Sequence, residues 1–259
     1  MLEINKIHCG DCLELMPSID DKTIDLTVTS PPYDNLRDYN GYIFDFEGIA
    51  TELYRVTKDG GVVVWIVGDA TIKGSETGTS FRQALYFKEI GFRLHDTMIW
   101  KKESFSNPFP NRYHQVFEYM FIFTKGKNKT FNPIIDRTNK HQGEIVSSTV
   151  READGSLNKR TPKKINEYGK RFNVWEQTVH KQKGGHPAPF PERLANDHII
   201  SWSNEHDIVL DPMCGSGTTC KMAKLNNRNY IGIDISQEYV DIANKRLANT
   251  FKQEELSGI

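Results

Sequence analysis

The sequence has few cysteines, no long apolar run and almost no net charge. Its 259 residues include four cysteines, too few for a disulfide framework, so a reducing cytosol is the simplest setting. No stretch approaches the roughly 18 consecutive apolar residues that suggest a membrane span, and the first residues lack the apolar centre of a signal peptide. We therefore expect a soluble, cytoplasmic protein with no membrane partner.

The cysteines and histidines also lack the spacing of a metal site. Cys9 and Cys12 form a C-x-x-C pair, but Cys214 and Cys220 are distant in sequence and spaced differently. Structural zinc sites use closely grouped sets of such ligands. We predict no bound metal.

The net charge of −1 excludes a general polycation, yet the charge is distributed unevenly. Residues 125–183 contain 14 lysines and arginines but only 6 acidic residues. Within this stretch, residues 125–172 also lose the regular spacing of apolar residues. This segment is predicted to be a basic insert for an anionic partner, although a solvated insert without a ligand would have the same composition.

The rest of the chain alternates between strand and helix patterns. The apolar runs Ile24–Thr29 and Val62–Val67 are typical of parallel strands buried on both faces. Residues 46–56 and 192–202 have helical spacing. We expect Lys58-Asp59-Gly60-Gly61 to end the first of these helices with a glycine cap. The predicted fold class is α/β, with a doubly wound, mostly parallel sheet, helices on both faces and a small basic insert.

The first chemical motif is Ser30-Pro31-Pro32-Tyr33, directly after the strand ending at Thr29. Proline has no N–H, so this segment offers mainly acceptors: the carbonyls of Ser30 and Pro31 and the serine hydroxyl. Such a surface suits a flat group that carries an NH₂, with the Tyr33 ring beside it. A plain surface turn explains the same four residues equally well.

The second motif is a glycine turn, Asp211-Pro212-Met213-Cys214-Gly215-Ser216-Gly217-Thr218-Thr219. Asp234 ends the next strand, 19 residues after Gly215, where nucleotide-binding folds place an acid on ribose hydroxyls. The third glycine of a dinucleotide fingerprint is missing, because position 220 is Cys220, and Asp211 would repel a phosphate. The pattern favours a ligand with a ribose, no pyrophosphate and a cationic centre. S-adenosyl-L-methionine meets these conditions.

With these two motifs, the chain resembles the amino-group DNA methyltransferases of the permuted β-type over nearly its whole length. In that family the catalytic (Asp/Asn/Ser)-Pro-Pro-(Tyr/Phe) motif comes first, a target-recognition region follows, and the cofactor glycine motif comes last. The resemblance implies a Rossmann-like domain whose catalytic half is residues 1–124 and whose cofactor-binding half is residues 173–259. Residues 125–172 would form the basic target-recognition insert, with double-stranded DNA as substrate and S-adenosyl-L-methionine as cofactor.

Two further elements resemble cofactor-binding parts of the family. Gly10-Asp11-Cys12 resembles the element whose acid approaches the cofactor adenine. His186-Pro187-Ala188-Pro189-Phe190-Pro191 resembles the element that holds the methionine end. The predicted cofactor-binding residues are Asp11, Cys12, Ser30, His186, Pro187, Phe190, Asp211, Pro212, Cys214, Gly215, Ser216, Gly217, Thr218, Thr219, Asp234 and Ile235.

The predicted catalytic residues are Ser30, Pro31, Pro32 and Tyr33. If Ser30 and the Pro31 carbonyl accept the two N–H groups of an exocyclic amine, its lone pair can attack a sulfonium methyl directly. Tyr33 would stack on a base flipped out of the duplex. Among relatives, the Ser-Pro-Pro-Tyr form is associated mostly with cytosine N4. We therefore predict an N4-cytosine enzyme, with an N6-adenine enzyme as the alternative.

The predicted DNA-binding residues are basic side chains in the loops and the insert, although solvated loops explain them nearly as well. They are Arg37, Lys101, Lys102, Arg112, Lys163 and Lys164. More distant alternatives are an RNA base methyltransferase, since a base pocket does not by itself exclude a 2′-OH, and a non-enzymatic DNA-binding module. The enzyme would serve restriction-modification, with a cognate endonuclease in no stable complex, or act as an orphan. The sequence leaves open a monomer or a homodimer.

Overall fold

The computed structural model describes residues 2–32, 44–105, 108, 110–178 and 191–257, with side chains up to residue 250. The chain forms two compact units. Met1–Asn132 and Asn173–Ile259 make up the first, here called the core unit, and Pro133–Phe172 the second, here called the ribbon unit. Among the described residues, no helix is long and apolar enough to cross a membrane.

The helices and strands alternate through the core unit, while the ribbon unit contains only short strands. The helices are α1 Cys12–Leu15, α2 Phe46–Val56, α3 Thr79–Glu89, α4 Glu192–Trp202, α5 Thr218–Leu225 and α6 Gln237–Ser257, with a 3₁₀ turn at Met16–Ser18. The strands are β1 Lys6–Cys9, β2 Ile24–Thr29, β3 Thr57–Val67, β4 Thr71–Ile72, β5 Ser75–Glu76, β6 Arg93–Lys101, β7 Phe117–Thr124, β8 Ile135–Thr138, β9 Ile145–Val146, β10 Thr149–Arg151, β11 Leu157–Lys159, β12 Lys163–Lys164, β13 Tyr168–Lys170, β14 Val174–Glu176, β15 Ile208–Asp211 and β16 Asn229–Asp234.

Eight strands of the core unit form one sheet in the order β1-β16-β15-β2-β3-β7-β6-β14. Strand β7 is antiparallel to both of its neighbours, β3 and β6, and the other neighbouring pairs are parallel. The prediction of a mostly parallel sheet is therefore confirmed. Because β1, β16, β15 and β2 are parallel, their carboxyl ends lie at the same edge of the sheet.

Helices cover both faces of this sheet. Helices α2 and α3 share a hydrophobic core with the alternate residues Val63, Trp65 and Val67 of β3, and this core also includes Ile231 and Ile233 of β16. Gly232, between those two isoleucines, faces the other way: a Cβ added there would lie 2.7 Å from the Cys220 sulfur on α5. Successive residues of a strand face opposite sides, so α5 lies on the face opposite α2 and α3.

The predicted glycine end of α2 is wrong. The helix ends at Val56, and strand β3 begins at once with Thr57, so Gly60 and Gly61 lie inside a strand. Thr57 caps the helix instead, because its N–H and its hydroxyl both donate to the Leu53 carbonyl. The Lys125 ammonium adds hydrogen bonds to the carbonyls of Tyr54, at 2.5 Å, and Thr57, at 3.0 Å. The Lys125 contact joins residues about seventy positions apart, so no local pattern could indicate it.

The basic segment becomes a separate unit at Pro133, eight residues after its predicted start at residue 125. Residues 125–132 belong to the core unit and form hydrogen bonds with other parts of it. The Lys129 N–H donates to the carbonyl of Gly60, and the Asn132 N–H donates to the carbonyl of Ser201.

The ribbon unit is a single long hairpin. Strand β8 pairs with β13, β9 with β12 and β10 with β11, all antiparallel and nested one inside the next. The chain reverses at Gly155, whose φ of +86° favours glycine. Every residue from 133 to 172 is described, and none is buried. The unit is therefore a two-stranded ribbon without a core of its own.

Candidate functional site

The motifs predicted from the sequence meet at one edge of the sheet. The Gly10-Asp11-Cys12 segment follows β1, Ile235 follows β16, the glycine turn follows β15, and Ser30 follows β2. These four strands are neighbours in the sheet and run in the same direction. The carboxyl edge of such a sheet is where α/β folds bind their ligands.

Backbone hydrogen bonds connect neighbouring loops at this edge. The Gly10 N–H donates to the carbonyl of Asp234 at 3.0 Å, and the Cys214 N–H donates to the carbonyl of Ile233 at 2.8 Å. The Cys9 thiol, which is exposed, lies 3.8 Å from the carbonyl of Ile235. These contacts fix the ends of β1, β16 and β15 relative to one another.

Asp234 orders the glycine turn from the neighbouring strand. One carboxylate oxygen accepts the Gly215 N–H at 2.7 Å, and the other accepts the Ser236 N–H at 2.9 Å. Burial raises the pKa of Asp234, although both hydrogen bonds act to lower it. Gly215 and Gly217 have φ values of +50° and +75°, which glycine adopts without strain. The turn is therefore held in one conformation, with the half-buried Asp234 beside it.

Asp211 is buried, whereas its sequence position suggested that it would face a cationic ligand. It is 1% exposed, and it accepts the Thr29 hydroxyl at 2.8 Å and the Met213 N–H at 3.3 Å. Burial raises the pKa of Asp211 to about 6, although hydrogen bonds from Thr29, Thr219 and Met213 act to lower it. Its carboxyl group is thus part of the support of the turn and joins the end of β15 to the end of β2. It offers almost no surface to a cationic ligand.

The Gly10-Asp11-Cys12 segment has one side chain at the edge and one in the core. Asp11 is half-buried, and its carboxylate caps α1 by accepting the Leu13 N–H at 2.8 Å. The Cys12 thiol is buried in the hydrophobic core with Met16, so its side chain points away from the predicted cofactor surface.

The segment Ser30–Pro32, here called the acceptor shelf, lies directly beside the glycine turn. Ser30 and Pro32 are half-buried and Pro31 is buried. The Thr29–Asp211 hydrogen bond holds the start of the shelf to the turn, as does the bond from the Thr219 hydroxyl to the Val28 carbonyl at 3.0 Å. Of the predicted catalytic residues, Tyr33 lies outside the described part of the chain.

Most other residues of the glycine turn are buried. Ser216, Thr218 and Thr219 are buried, as are Pro212, Cys214 and Gly217. In contrast, Ile235 is 52% exposed and Met213 is half-buried. The accessible surface of the edge therefore includes Gly10, Asp11, Ser30, Pro32, Met213, Asp234 and Ile235 among the described residues.

The sequence did not indicate several residues that shape this edge. The sequence pattern places Thr29 only in the strand and gives Met213 no role within the motif. Arg246 of α6 donates to the Ser216 carbonyl at 2.5 Å, and it also binds Glu192. A cation on the last helix gives no local signal for such a contact, because its partners lie 30 and 54 positions away.

The predicted DNA-binding residues fall into two groups. Three lie in the core unit with partners of their own: Lys101 contacts Glu176, Lys102 contacts Glu118, and Arg112 donates to the Gly74 carbonyl. Lys163 and Lys164 are exposed on β12 of the ribbon unit. Arg37 lies outside the described residues, as do the predicted cofactor-binding residues His186, Pro187 and Phe190.

Comparisons with known proteins agree on one family. A family model described as DNA methylase, of the N6/N4 type, matches residues 24–245. The chain is 62% identical over 242 residues to the orphan methyltransferase M.BamHII of Bacillus amyloliquefaciens, covering 90% of this chain and 91% of that protein. It is 30% identical to the type II methyltransferase M.HpaI of Haemophilus parainfluenzae, covering 95% of this chain and 75% of that protein.

Solved structures share the fold. The cytosine-N4-specific PvuII DNA methyltransferase matches with a TM-score of 0.69 and 22% identity, over 93% of this chain and 85% of that one. The complex of M1.HpyAVI with S-adenosyl-L-methionine matches with a TM-score of 0.63 and 24% identity, over 93% of this chain and 99% of that one. These likenesses confirm a Rossmann-like methyltransferase sheet.

Proposed function

Because the chain belongs to the N6/N4 DNA methylase family, as its motifs predicted, we propose that it transfers a methyl group to the exocyclic N4 of cytosine in duplex DNA. The methyl donor is S-adenosyl-L-methionine. The observation that carries the proposal is the junction at Thr29 and Asp211, where the acceptor shelf and the glycine turn are joined by a hydrogen bond of 2.8 Å. An amine-binding surface thus adjoins a nucleoside-binding turn.

The residues at the edge fit the chemistry of this cofactor. A ribose presents hydroxyl donors, and the Asp234 carboxylate stands at the strand end where such hydroxyls are bound. Asp11, at the end of the neighbouring strand, suits the amino group of adenine, and the exposed Ile235 suits the apolar face of a purine. When bound, S-adenosyl-L-methionine supplies an electrophilic methyl group on its sulfonium sulfur.

The acceptor shelf acts on the target amine. The Ser30 hydroxyl and the Pro31 carbonyl accept its two N–H groups, which shifts the nitrogen towards sp³ and frees its lone pair. The nitrogen would then bond to the methyl carbon as the bond from that carbon to the donor sulfur broke, which would release S-adenosylhomocysteine. The nitrogen would carry a positive charge after the transfer and would lose one proton to solvent. No covalent bond to the enzyme is required, and orientation supplies much of the rate.

Mass spectrometry of nucleosides tests the target base. Duplex DNA treated with the enzyme and S-adenosyl-L-methionine should contain N4-methylcytosine. The hydroxyl of Ser30, in place of a carboxylate, supports this choice over the alternative, adenine N6. Appearance of N6-methyladenine without N4-methylcytosine would reject the N4 proposal but leave the family assignment unchanged. A parallel reaction with RNA of the same sequence should show no transfer.

Ser30→Ala tests the role of the shelf. Removing the hydroxyl takes away one acceptor of the amine, so we expect kcat to fall by about a hundredfold, as when a single transition-state hydrogen bond is lost. Binding of S-adenosyl-L-methionine should weaken much less than kcat falls, although Ser30 is also among the predicted cofactor-binding residues. Loss of cofactor binding with unchanged kcat would contradict the proposed role.

We also propose that the ribbon unit is the target-recognition insert. A two-stranded β-ribbon has the width that the major groove of B-DNA admits. The half of the ribbon from residue 145 to residue 164 carries five basic residues that make no ion pair within the described part of the chain. These are Arg151, Lys159, Arg160, Lys163 and Lys164. They are available to phosphates.

The salt dependence of DNA binding tests this assignment. Each phosphate contact contributes about 0.9 to the slope of log K against log salt concentration. The double variant Lys163→Ala, Lys164→Ala should lower the slope by about 1 to 2, while Lys88→Ala, an exposed lysine of α3, should leave it unchanged. An unchanged slope in the double variant would remove the ribbon from the DNA interface.

The cellular role follows from the same proposal. We place the enzyme in the cytoplasm, encoded by a bacterium, an archaeon or a phage, as an orphan modification enzyme or as part of a restriction-modification system without a stable endonuclease complex. The relative with 62% identity is described as an orphan methyltransferase, which supports the first role. Modified-base sequencing of DNA from a host that expresses the protein would give the methylated site, and light scattering would give the oligomeric state.

A further inference from the structure

Arg246 contacts the glycine turn from the side of the last helix. Its Nη1 donates to the Ser216 carbonyl at 2.5 Å and to the Ser216 hydroxyl at 2.7 Å, and it lies 3.3 Å from the Thr218 hydroxyl. Its Nη2 donates to a carboxylate oxygen of Glu192 at 2.7 Å. One guanidinium thus connects the turn to the first residue of α4.

Glu192 is shared between two cations. The same carboxylate oxygen accepts the Lys221 ammonium of α5 at 2.7 Å. The side chains of Arg246, Lys221 and Glu192 are 17%, 18% and 33% exposed, so the group is largely shielded from water. Burial acts to raise the pKa of Glu192, but hydrogen bonds from Lys221 and Arg246 outweigh it and lower the pKa. The carboxylate therefore stays ionised at neutral pH and fixes the guanidinium.

Helix α6 also supports the turn through packing. A Cβ added at Gly217 would lie 2.8 Å from the Cβ of Ala243, which is one helical turn before Arg246. The helix therefore lies against the backbone of the turn, and the Arg246 guanidinium reaches the peptide beside that contact. Hydrogen bonds from a cation to a carbonyl are stronger than those between neutral groups.

We infer that Arg246 is a positioning residue of the proposed cofactor site, which holds the Ser216–Thr218 backbone in the conformation that receives S-adenosyl-L-methionine. This inference rests on the proposed function, in which the glycine turn binds the cofactor. Glu192 orients the guanidinium, and Lys221 neutralises the remaining charge of that carboxylate. The residue would act on cofactor affinity and not on the transfer step.

The test is cofactor affinity in Arg246→Gln and Arg246→Lys, measured by isothermal titration calorimetry with S-adenosyl-L-methionine. Arg246→Gln removes the charged hydrogen bonds, so we expect the dissociation constant to rise by about ten- to a hundredfold. Arg246→Lys keeps the charge but loses the fork that reaches Ser216 and Glu192 together, and an intermediate rise is expected. The kcat at saturating cofactor and the KM for DNA should both stay within about twofold.

Two controls separate this inference from the proposed function. Lys245→Ala removes a neighbouring, exposed charge of the same helix and should bind the cofactor as the unaltered protein does. Asp234→Ala removes the acid assigned to the ribose and should lose most of the cofactor affinity. If Asp234→Ala binds normally, the proposed cofactor site itself is wrong.

The result that overturns the inference is a folded Arg246→Gln protein that binds S-adenosyl-L-methionine within about twofold of the unaltered protein while Asp234→Ala does not. A fall in kcat at unchanged affinity would equally overturn it. Circular dichroism checks the fold of each variant. If Arg246→Gln does not fold, Ser216→Ala removes one of the same hydrogen bonds from the other partner and should raise the dissociation constant by about threefold or more.

Discussion

The core unit and the ribbon unit differ in how much apolar surface they bury. In the core unit, the central strand β3 is buried from Gly60 to Val67, and helices cover both faces of the sheet. In the ribbon unit, no residue from 133 to 172 is buried. Isolated two-stranded hairpins are marginally stable in water. The ribbon therefore has hydrogen bonds and turn geometry but lacks the apolar burial that holds the core unit together.

The ion pairing of basic side chains also differs between the two units. Several core-unit cations have acidic partners: Lys58 contacts Asp25, Arg55 contacts Glu52, and Arg246 contacts Glu192. In the ribbon unit, Arg171 contacts Asp136 near the base of the hairpin, whereas the basic residues nearer the tip have no such partner in the described chain. The tip half of the ribbon thus presents unpaired positive charge, as a surface for an anionic polymer would.

The largest expected difference between the units is in hydrogen exchange. Amides of Val62–Val67 should exchange only on global unfolding, whereas those of β10 and β11 should exchange about a thousandfold faster or more, because the ribbon can open locally. Duplex DNA should slow exchange in the ribbon. Equal protection in the two units, measured by mass spectrometry without DNA, would contradict the comparison.

A pair of glycine substitutions sharpens the comparison. Gly217→Ala and Gly155→Ala both place a side chain at positive φ, which costs about 1–2 kcal/mol. At Gly217 the new Cβ would also lie 2.8 Å from that of Ala243, whereas at Gly155 nothing lies within 4 Å. We expect a loss of about 3 kcal/mol in global unfolding free energy for the first and a local effect for the second. Urea unfolding followed by circular dichroism measures both, and equal losses would be unexpected.

Asp211 gives a prediction for pH. Its pKa rises from 3.8 to about 6 on folding, so the folded state binds this proton more tightly. The resulting stability is present below the unfolded pKa and is lost as pH rises through about 6. Asp211→Asn, which is neutral and similar in shape, should therefore be more stable than the unaltered protein at pH 8, by at most about 3 kcal/mol.

The matched control is at the tip of the ribbon. Hydrogen bonds from Ser156 lower the pKa of the exposed Asp154, so Asp154→Asn should bring no gain at pH 8. Thermal unfolding across the pH range would measure both variants. If Asp154→Asn gained stability at pH 8, or Asp211→Asn lost it, burial would not set the pKa values of these two carboxyl groups.

The smallest expected effect concerns the ribbon charges. The double variant Lys163→Ala, Lys164→Ala should change the unfolding free energy by less than about 0.5 kcal/mol, since exposed unpaired cations contribute little. Lys102→Ala removes the ammonium that pairs with the mostly buried Glu118 and should cost about 1–3 kcal/mol. Chemical denaturation of both variants checks the contrast. A larger loss in the ribbon variant would indicate that its charges support the fold.

Local patterns predicted much of the core unit. Strand β2 and helices α2 and α4 have the bounds that their apolar spacing indicated, and strand β3 contains the predicted run Val62–Val67 but begins five residues earlier, at Thr57. The carboxyl edge was also predictable in outline, because motifs that follow parallel strands must meet at one edge. The sequence order of motifs was enough to predict the family, which the comparisons confirmed.

Long-range contacts account for what the patterns missed. Lys125 reinforces the end of α2, Thr29 binds the inward-facing Asp211, and Arg246 supports the glycine turn. The nested pairing of the ribbon was missed as well, since its residues are exposed on both faces and show no alternation of apolar and polar residues. Each of these features is set by partners that the local sequence does not name.

The nested pairing of the hairpin has a consequence for how this enzyme could diversify. In the paired segments of this ribbon, side chains alternate between faces and face set partners on the other strand, apart from a register shift between Gly169 and Lys170. Removing two residues from each strand near Gly155 would shorten the arm and preserve both faces, whereas removing one would turn every side chain beyond it to the opposite face. Since the tip carries no buried contacts, such changes in length leave the packing of the sheet intact. The ribbon unit can thus be lengthened or shortened by two residues per strand, while the residues at the sheet edge stay the same.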